Sequence, residues 1–156
     1  MGKGDKNITH SLPAFAQPQN CLLVGLRYFV EPAEKRRKNW QIPMVSCQSA
    51  NQSSDEVINW LKNSRKTKVL IHSDLDVSDP NELKFAVGTD PDGMTLQAVS
   101  RVINGFAKTA DIVGLTVAEP MPREVLKLKS LLDNLPMFFK CIGYLINTNT
   151  DRPSEN

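Results

Sequence analysis

The sequence is poor in the side chains that most often mark a metal or redox site. Its 156 residues include two histidines, His10 and His72, and three cysteines, Cys21, Cys47 and Cys141. The cysteines lack metal-finger or redox-motif spacing, so we expect them to be buried, reduced thiols of a cytoplasmic protein. The cysteines therefore predict neither a zinc finger nor a dithiol redox centre.

Long apolar runs and a strong net charge are also missing. No apolar stretch approaches the length of a membrane span, and residues 1–6 lack the apolar core of a secretory signal. A net charge of +2 is too small to predict a nucleic-acid or membrane partner. The charged run Glu34–Lys38 has no interleaved aromatic residues, which favours a solvated helix face over a nucleic-acid patch. With 40% hydrophobic and 23% charged residues, the composition is that of one soluble globular domain.

Apolar periodicity predicts that strands and helices alternate over residues 21–146. This order is typical of βαβ units, in which helices cover a parallel sheet on both faces. The segment 1–20 is predicted to be rich in loops, and the tail 147–156 to be disordered. Strands are predicted at 21–26, 42–45, 68–73 and 111–117, and helices at 33–40, 54–64, after Thr95, after Pro122 and at 137–146.

Three local signals refine this assignment. Ser53 and Glu56 have the spacing of a capping box at the start of the helix 54–64. Thr95 precedes an apolar stripe with helical spacing, so it is expected to cap that helix. His72 lies inside a predicted buried strand, and we interpret it as a hydrogen-bonded core histidine.

Acidic residues follow two of the predicted strands. Asp74 and Asp76 come directly after the strand 68–73, and Glu119 follows the strand 111–117. Functional groups of parallel sheets lie beyond the carboxyl ends of the strands. Alternate residues of an extended segment point the same way, so the two aspartates are placed to bind one divalent cation such as Mn²⁺. Taken alone, an Asp-x-Asp pair is more typical of a solvated loop with capping aspartates.

Five short blocks, in order, give these residues a wider context. Asn7–Pro13 reads N-I-T-H-S-L-P, and Val24–Glu34 contains V-G-L-R followed by E-P-A-E. His72–Pro80 reads H-S-D-L-D-V-S-D-P, Gly88–Thr95 reads G-T-D-P-D-G-M-T, and Gly114–Pro120 reads G-L-T-V-A-E-P. They resemble, in the same order, the arginase (ureohydrolase) family blocks G-N-L-H-G-x-P, I-G-L-R-D-x-D-P-x-E, S-F-D-V-D-x-L-D-P, G-T-P-x-x-G-G-L-T and G-x-D-I-x-E-x-N-P.

The resemblance implies a three-layer α/β/α fold with a mainly parallel sheet and a hydrolase that uses two Mn²⁺ ions. In that family a hydroxide bridging the two ions attacks a guanidinium carbon, which converts arginine to ornithine and urea. Agmatine and formiminoglutamate are the family's other substrates, and its members are homo-oligomers. By this resemblance Asp74 and Asp76 are metal ligands, Glu119 pairs with the guanidinium, His10 shuttles a proton, Thr89 lines the pocket, and Glu31 and Glu34 hold the α-amino end of the substrate.

Two blocks of the family have no counterpart in this chain. They are G-G-D-H and D-A-H-x-D, which carry the remaining metal ligands. We therefore expect the C-terminal half of the family's domain, with an incomplete metal site. Two hypotheses stay open: a piece of a guanidino hydrolase, or a truncated or degenerate non-catalytic member that acts as a structural or interaction module. His10 is equally well explained as a surface histidine, and Glu31 and Glu34 as acids that favour a helix start.

Overall fold

A computed structural model of the chain describes residues 2, 4–28, 30–82, 90–120 and 125–135. Short 3₁₀ turns lie at Pro18–Asn20 and Leu75–Val77. The strands are β1 (Leu23–Val24), β2 (Met44–Val45), β3 (Lys68–Asp74) and β4 (Asp111–Ala118). The helices are α1 (Lys6–Thr9), α2 (Glu31–Asn39), α3 (Cys47–Gln52), α4 (Asp55–Ser64), α5 (Leu96–Thr109) and α6 (Val125–Asp133).

All of these strands run parallel to their partners, in two separate pairs. β1 pairs with β2, and β3 pairs with β4, with Asp74 opposite Ala118 at the carboxyl end. The register shifts by one residue between Val69 and Leu70, which leaves Val113 of β4 as the extra residue of a β-bulge. Helix α5 connects β3 to β4, which is the helical crossover that parallel strands require. The described residues form an incomplete α/β fold with parallel strands, as the sequence predicts.

The core lies between helices α4 and α5 and the inner face of the β3–β4 pair. Thr95 Oγ1 accepts a hydrogen bond from the Ala98 N–H at 3.0 Å, so α5 begins at the predicted cap. Its helical stripe then faces the core, and Val69 and Ile71 of β3 pack against it. The buried residues of the two helices are Val57, Leu61, Ala98, Val99, Val102, Ile103 and Phe106.

The outer face of the β3–β4 pair differs from the prediction. Leu70 is 71% exposed and Val113 is 56% exposed, so β3 is not buried on both faces. His72 is exposed as well, and its Nδ1 lies 2.7 Å from Thr116 Oγ1 on the neighbouring strand. The prediction of a core histidine is therefore wrong, because strand alternation places His72 on the outer face with Leu70 while Ile71 takes the inner face.

The start of α4 also departs from the prediction. The N-cap is Ser54, whose side chain makes no capping bond, and Ser53 Oγ instead accepts from the Asp55 N–H at 3.0 Å. Glu56 accepts a hydrogen bond from Ser49 Oγ at 2.6 Å. The capping box is therefore wrong, because the unpredicted helix α3 brings Ser49 within reach of the Glu56 carboxylate.

Several expectations concern the cysteines and the end of the chain. Cys47 is buried as predicted, whereas Cys21 is only half-buried, so that part of the prediction is wrong; both are free thiols. The predicted helix 137–146, the tail 147–156 and Cys141 lie outside the described residues. Over the ranges that the structure describes, no helix combines the length and the apolar character needed to cross a membrane.

Candidate metal-binding edge of the sheet

The acidic residues singled out by the sequence lie at one edge of the β3–β4 pair. Asp74 ends β3, and its Oδ1 accepts a hydrogen bond from the Asp76 N–H at 3.1 Å, which starts the 3₁₀ turn Leu75–Val77. Glu119 follows the last residue of β4, is exposed and has a left-handed φ of 57°. Because Asp74 is opposite Ala118 in parallel strands, all three acids are at the same carboxyl edge, as the sequence predicts.

The turn after β3 is held in place by the core and by the end of β1. Leu75 is buried at 2% exposure and anchors the turn in the core. Gly25, at the end of β1, has a left-handed φ of 74°, and a Cβ there would lie 2.5 Å from Val77 Cγ2. The end of β1 therefore approaches the turn more closely than any residue with a side chain allows.

Asp79 ties this turn to the loop that leads into α5. Its Oδ2 accepts from the Gly93 N–H at 3.1 Å, and its own N–H donates to the Met94 carbonyl oxygen at 2.9 Å. Hydrogen bonds to its carboxylate, chiefly from the Asn81 N–H, lower the pKa of Asp79. A Cβ at Gly93 would lie 2.4 Å from the Asp79 nitrogen, so the two segments are in close backbone contact. Asp79 therefore joins the two loops through hydrogen bonds of its carboxylate and of its main-chain N–H.

Asn51, at the end of α3, supports the same loop from the helix side. Its Oδ1 accepts from the Thr95 N–H at 2.9 Å, and its Nδ2 donates to the Gly93 carbonyl oxygen at 3.1 Å. Arg101 of α5 donates to the main-chain oxygens of Ala50 and Asn51 at 2.6 and 2.9 Å. Hydrogen bonds from one side chain of each helix, Asn51 of α3 and Arg101 of α5, therefore join the two helices and the loop before α5.

Arg27 is the functional candidate that sequence reasoning missed. It follows β1 by three residues, and its guanidinium donates to five main-chain carbonyl oxygens at distances of 2.8 to 3.3 Å. The only available signal was its place in the V-G-L-R block, which says nothing of its partners. The five oxygens belong to Asp76, Val77, Ser78, Asp90 and Pro91.

His10 is a predicted site residue that the structure describes away from this edge. His10 directly follows α1 and is exposed, and it lines a surface depression with Lys6 and Phe15. That depression contains neither Asp74 nor Glu119 among its lining residues. Thr89 lies outside the described residues, so its predicted contact with substrate stays a prediction.

The predicted substrate acids of α2 have partners within their own helix. Glu34 accepts two hydrogen bonds from Arg37, both at 2.7 Å, and lies 3.4 Å from Lys38 Nζ. Chiefly through the Arg37 hydrogen bonds, the pKa of Glu34 is lowered to about 2. Glu31 is exposed at the first position of α2. Both roles in substrate binding stay predictions, and Glu34 would have to share its carboxylate with Arg37.

The donor set at the sheet edge fits a divalent cation only in part. Carboxylate oxygens suit Mn²⁺ and Mg²⁺, and Asp74 and Asp76 are adjacent to one turn. Within the ranges listed at the start of the fold description, no three His, Cys, Asp or Glu side chains come together as a metal-binding group. The described residues therefore do not fit a complete two-ion centre.

Known proteins resemble this chain over most of its length. No curated protein sequence matches it. Similar solved structures include the arginase of Entamoeba histolytica in complex with L-ornithine, at 18% identity and a TM-score of 0.74, covering 84% of this chain and 46% of that one. The Helicobacter pylori arginase is 17% identical, with a TM-score of 0.66 and coverage of 76% and 44%.

The Bacillus caldovelox arginase is 22% identical, with a TM-score of 0.61 and coverage of 68% and 37%. The chain thus spans less than half the length of these structures, and at such identities the likeness concerns the fold alone. The sequence model described as the Arginase family matches residues 8–125, which include the whole β3–β4 pair and its acidic edge. A match over so much of the chain, on a fold shared with solved arginases, means that this protein belongs to the arginase family.

Proposed function

We propose that this chain supplies the aspartate half of a manganese centre that hydrolyses a guanidino carbon–nitrogen bond. The parent reaction is the conversion of arginine to ornithine and urea. The observation that carries the proposal is the β3–β4 register, which puts Asp74, Asp76 and Glu119 at one carboxyl edge of a chain of the arginase family.

The side chains at this edge have chemistry that suits the reaction. Asp74 and Asp76 would hold metal through carboxylate oxygens, and a bound divalent ion would supply an activated water at neutral pH. The Glu119 carboxylate would pair with the guanidinium of the substrate, which is a charge-assisted contact with two parallel hydrogen bonds. His10, Thr89, Glu31 and Glu34 would act as the family resemblance implies once the remaining ligands are supplied from outside the described residues.

A second candidate function is a non-catalytic family member that serves as a structural or interaction module. The observation that favours it is that the described ranges contain no group of three or more metal-ligating side chains. The two candidates differ in one respect that can be measured, because only the first requires Asp74 and Asp76 to bind Mn²⁺.

The test is Mn²⁺ binding and urea release by the purified chain. We expect weak Mn²⁺ binding in electron paramagnetic resonance titrations, and loss of that binding in the double variant Asp74→Asn, Asp76→Asn. We also expect no urea from arginine with Mn²⁺ present, because two ions cannot be bridged by two carboxylates alone.

The matched control is Asp55→Asn, which removes an exposed aspartate from the first turn of α4 and should leave Mn²⁺ binding unchanged. Binding that survives in the double variant would favour the non-catalytic module. Robust Mn²⁺-dependent urea release by the chain alone would show that its own residues complete the centre.

A further inference from the structure

Arg27 connects parts of the molecule that share no strand pairing. It lies just beyond β1, whereas its partners lie after β3 and in the loop before α5. β1 and β3 belong to different parallel pairs, and no ladder of hydrogen bonds joins them within the described residues. The guanidinium is therefore a polar bridge between the carboxyl ends of the two pairs.

The bonds of Arg27 converge on main-chain atoms around the ligand-bearing turn. Nη2 donates to the Asp76 and Asp90 carbonyl oxygens at 2.8 Å each, and Nη1 donates to the Val77 carbonyl oxygen at 3.1 Å. Nε donates to the Pro91 carbonyl oxygen at 3.0 Å. Each bond from a charged donor is stronger than an ordinary amide hydrogen bond. Arg27 thus fixes the backbone of Asp76 through its carbonyl group.

A lysine could not reproduce this arrangement. The guanidinium presents five donors in a rigid plane, whereas an ammonium group is a point charge with three donors on a flexible stem. The Arg27 head group is half-buried beside Cys47, whose Sγ donates to the Gly25 carbonyl oxygen at 3.1 Å and lies 4.0 Å from Nη1. The guanidinium is therefore flanked on one side by the first residue of α3, Cys47.

We infer that Arg27 is a positioning residue, whose guanidinium sets the backbone of the Asp76–Ser78 turn and so the placement of the Asp76 carboxylate for a metal ion. The inference about metal rests on the proposed function, but the positioning of the turn does not. Arg101 offers a matched control, because its guanidinium also donates to two main-chain oxygens, at the distant end of α3.

The experiment compares Arg27→Lys with Arg101→Lys in the full chain by two readouts. The first is the ¹H–¹⁵N spectrum without metal, which suits a chain of 17.4 kDa. In Arg27→Lys we expect amide shifts at residues 76–79, and in Arg101→Lys shifts at residues 50–52 and, through the hydrogen bonds of Asn51 to Gly93 and Thr95, at residues 93–95. The second readout is Mn²⁺ affinity, which we expect to fall about tenfold in Arg27→Lys and to stay within about twofold in Arg101→Lys, as removal of outer-shell contacts does at other metal sites.

The two readouts distinguish failure of the proposed Mn²⁺ site from failure of the positioning role of Arg27. If the unsubstituted chain binds no Mn²⁺ at Asp74 and Asp76, the proposed function fails, and the amide shifts still decide whether Arg27 positions the turn. Unchanged amide signals at residues 76–79 in Arg27→Lys would overturn the inference, as would equal losses of affinity in the two variants. Should Arg27→Lys not fold, the unsubstituted chain decides: hindered rotation should resolve the Arg27 guanidinium protons, and freely averaged signals would overturn the inference.

Discussion

Both faces of the β3–β4 pair carry apolar residues, but the two faces have opposite surroundings. On the inner face Val69 and Ile71 pack against the core formed with α4 and α5. On the outer face Leu70 is 71% exposed and Val113 is 56% exposed. The run of apolar residues in β3 is continuous, so the sequence alone does not distinguish the covered face from the open one.

The described part of the domain is therefore packed on one side only. The inner layer has a packed core, and hydrogen bonds of Arg27, Asp79 and Asn51 join the loops of the carboxyl edge beside it. The outer face has apolar surface that would be favourable to bury. The loops at the acidic edge are therefore held in place by hydrogen bonds, whereas the outer face of the neighbouring strands is uncovered.

The largest expected effect is the loss of a buried side chain on the inner side. Leu61 of α4 is 1% exposed, so Leu61→Ala should lower the free energy of unfolding by about 2–5 kcal/mol. Urea unfolding would measure it as a lower midpoint with an unchanged slope. The matched control, Leu70→Ala on the outer face, should change stability by about 0.5 kcal/mol or less. A large cost at Leu70 would show that the outer face is covered in solution.

Much of the fold is predictable because local patterns and tertiary contacts agree. The helical stripe of α5 and the cap at Thr95 both point to the helix that forms, and β3 and β4 lie where the β-branched runs are. The short helix α3 is not predictable from its sequence, C-Q-S-A-N-Q, because the burial of Cys47 and Ala50 stabilises it rather than helix propensity. The exposure of His72 is not predictable for a similar reason, since strand periodicity gives two faces without saying which is covered.

The candidate site is predictable only in the residues that end strands. Asp74, Asp76 and Glu119 are found at one edge because parallel strands place their carboxyl ends together. The contacts of Arg27 join residues 49 to 64 positions apart in the chain, and no local pattern encodes such a distance. The pairing of Glu34 with Arg37 is predictable from the sequence, because residues three positions apart on a helix are neighbours.

A smaller effect on stability is expected where the end of β1 contacts the turn after β3. Gly25→Ala would force a side chain into a left-handed φ of 74° and within 2.5 Å of Val77 Cγ2. We expect a loss of about 1–3 kcal/mol in the free energy of unfolding, measured by urea titration. Gly4→Ala is the control, because the nearest atom to its new Cβ is Thr9 Cγ2 at 3.9 Å. If both variants are equally stable, the backbone of β1 is free to move away from the turn.

The smallest expected effect on stability concerns α2, an exposed helix that belongs to neither face of the β3–β4 pair. The pKa of Glu34 is lowered from 4.5 to about 2 by the Arg37 hydrogen bonds. Because the folded-state pKa is below the unfolded value, the pair stabilises the fold fully above pH 4.5, and this contribution is lost as the pH falls toward about 2. Both partners are partly exposed, so the effect should be small and should weaken further in high salt.

Urea unfolding midpoints recorded as the pH is lowered from 4.5 to about 2 would show this loss in the unsubstituted chain. Glu34→Gln removes the titrating carboxylate, so its midpoint should fall less steeply over that window. Glu31→Gln, at an exposed position of the same helix, should keep the original slope. Identical slopes in all three proteins would mean that the Glu34–Arg37 pair is not held in solution. In that case the Glu34 carboxylate would be available to the α-amino group of a substrate, and the ion pair would no longer compete with the role that the family resemblance gives it.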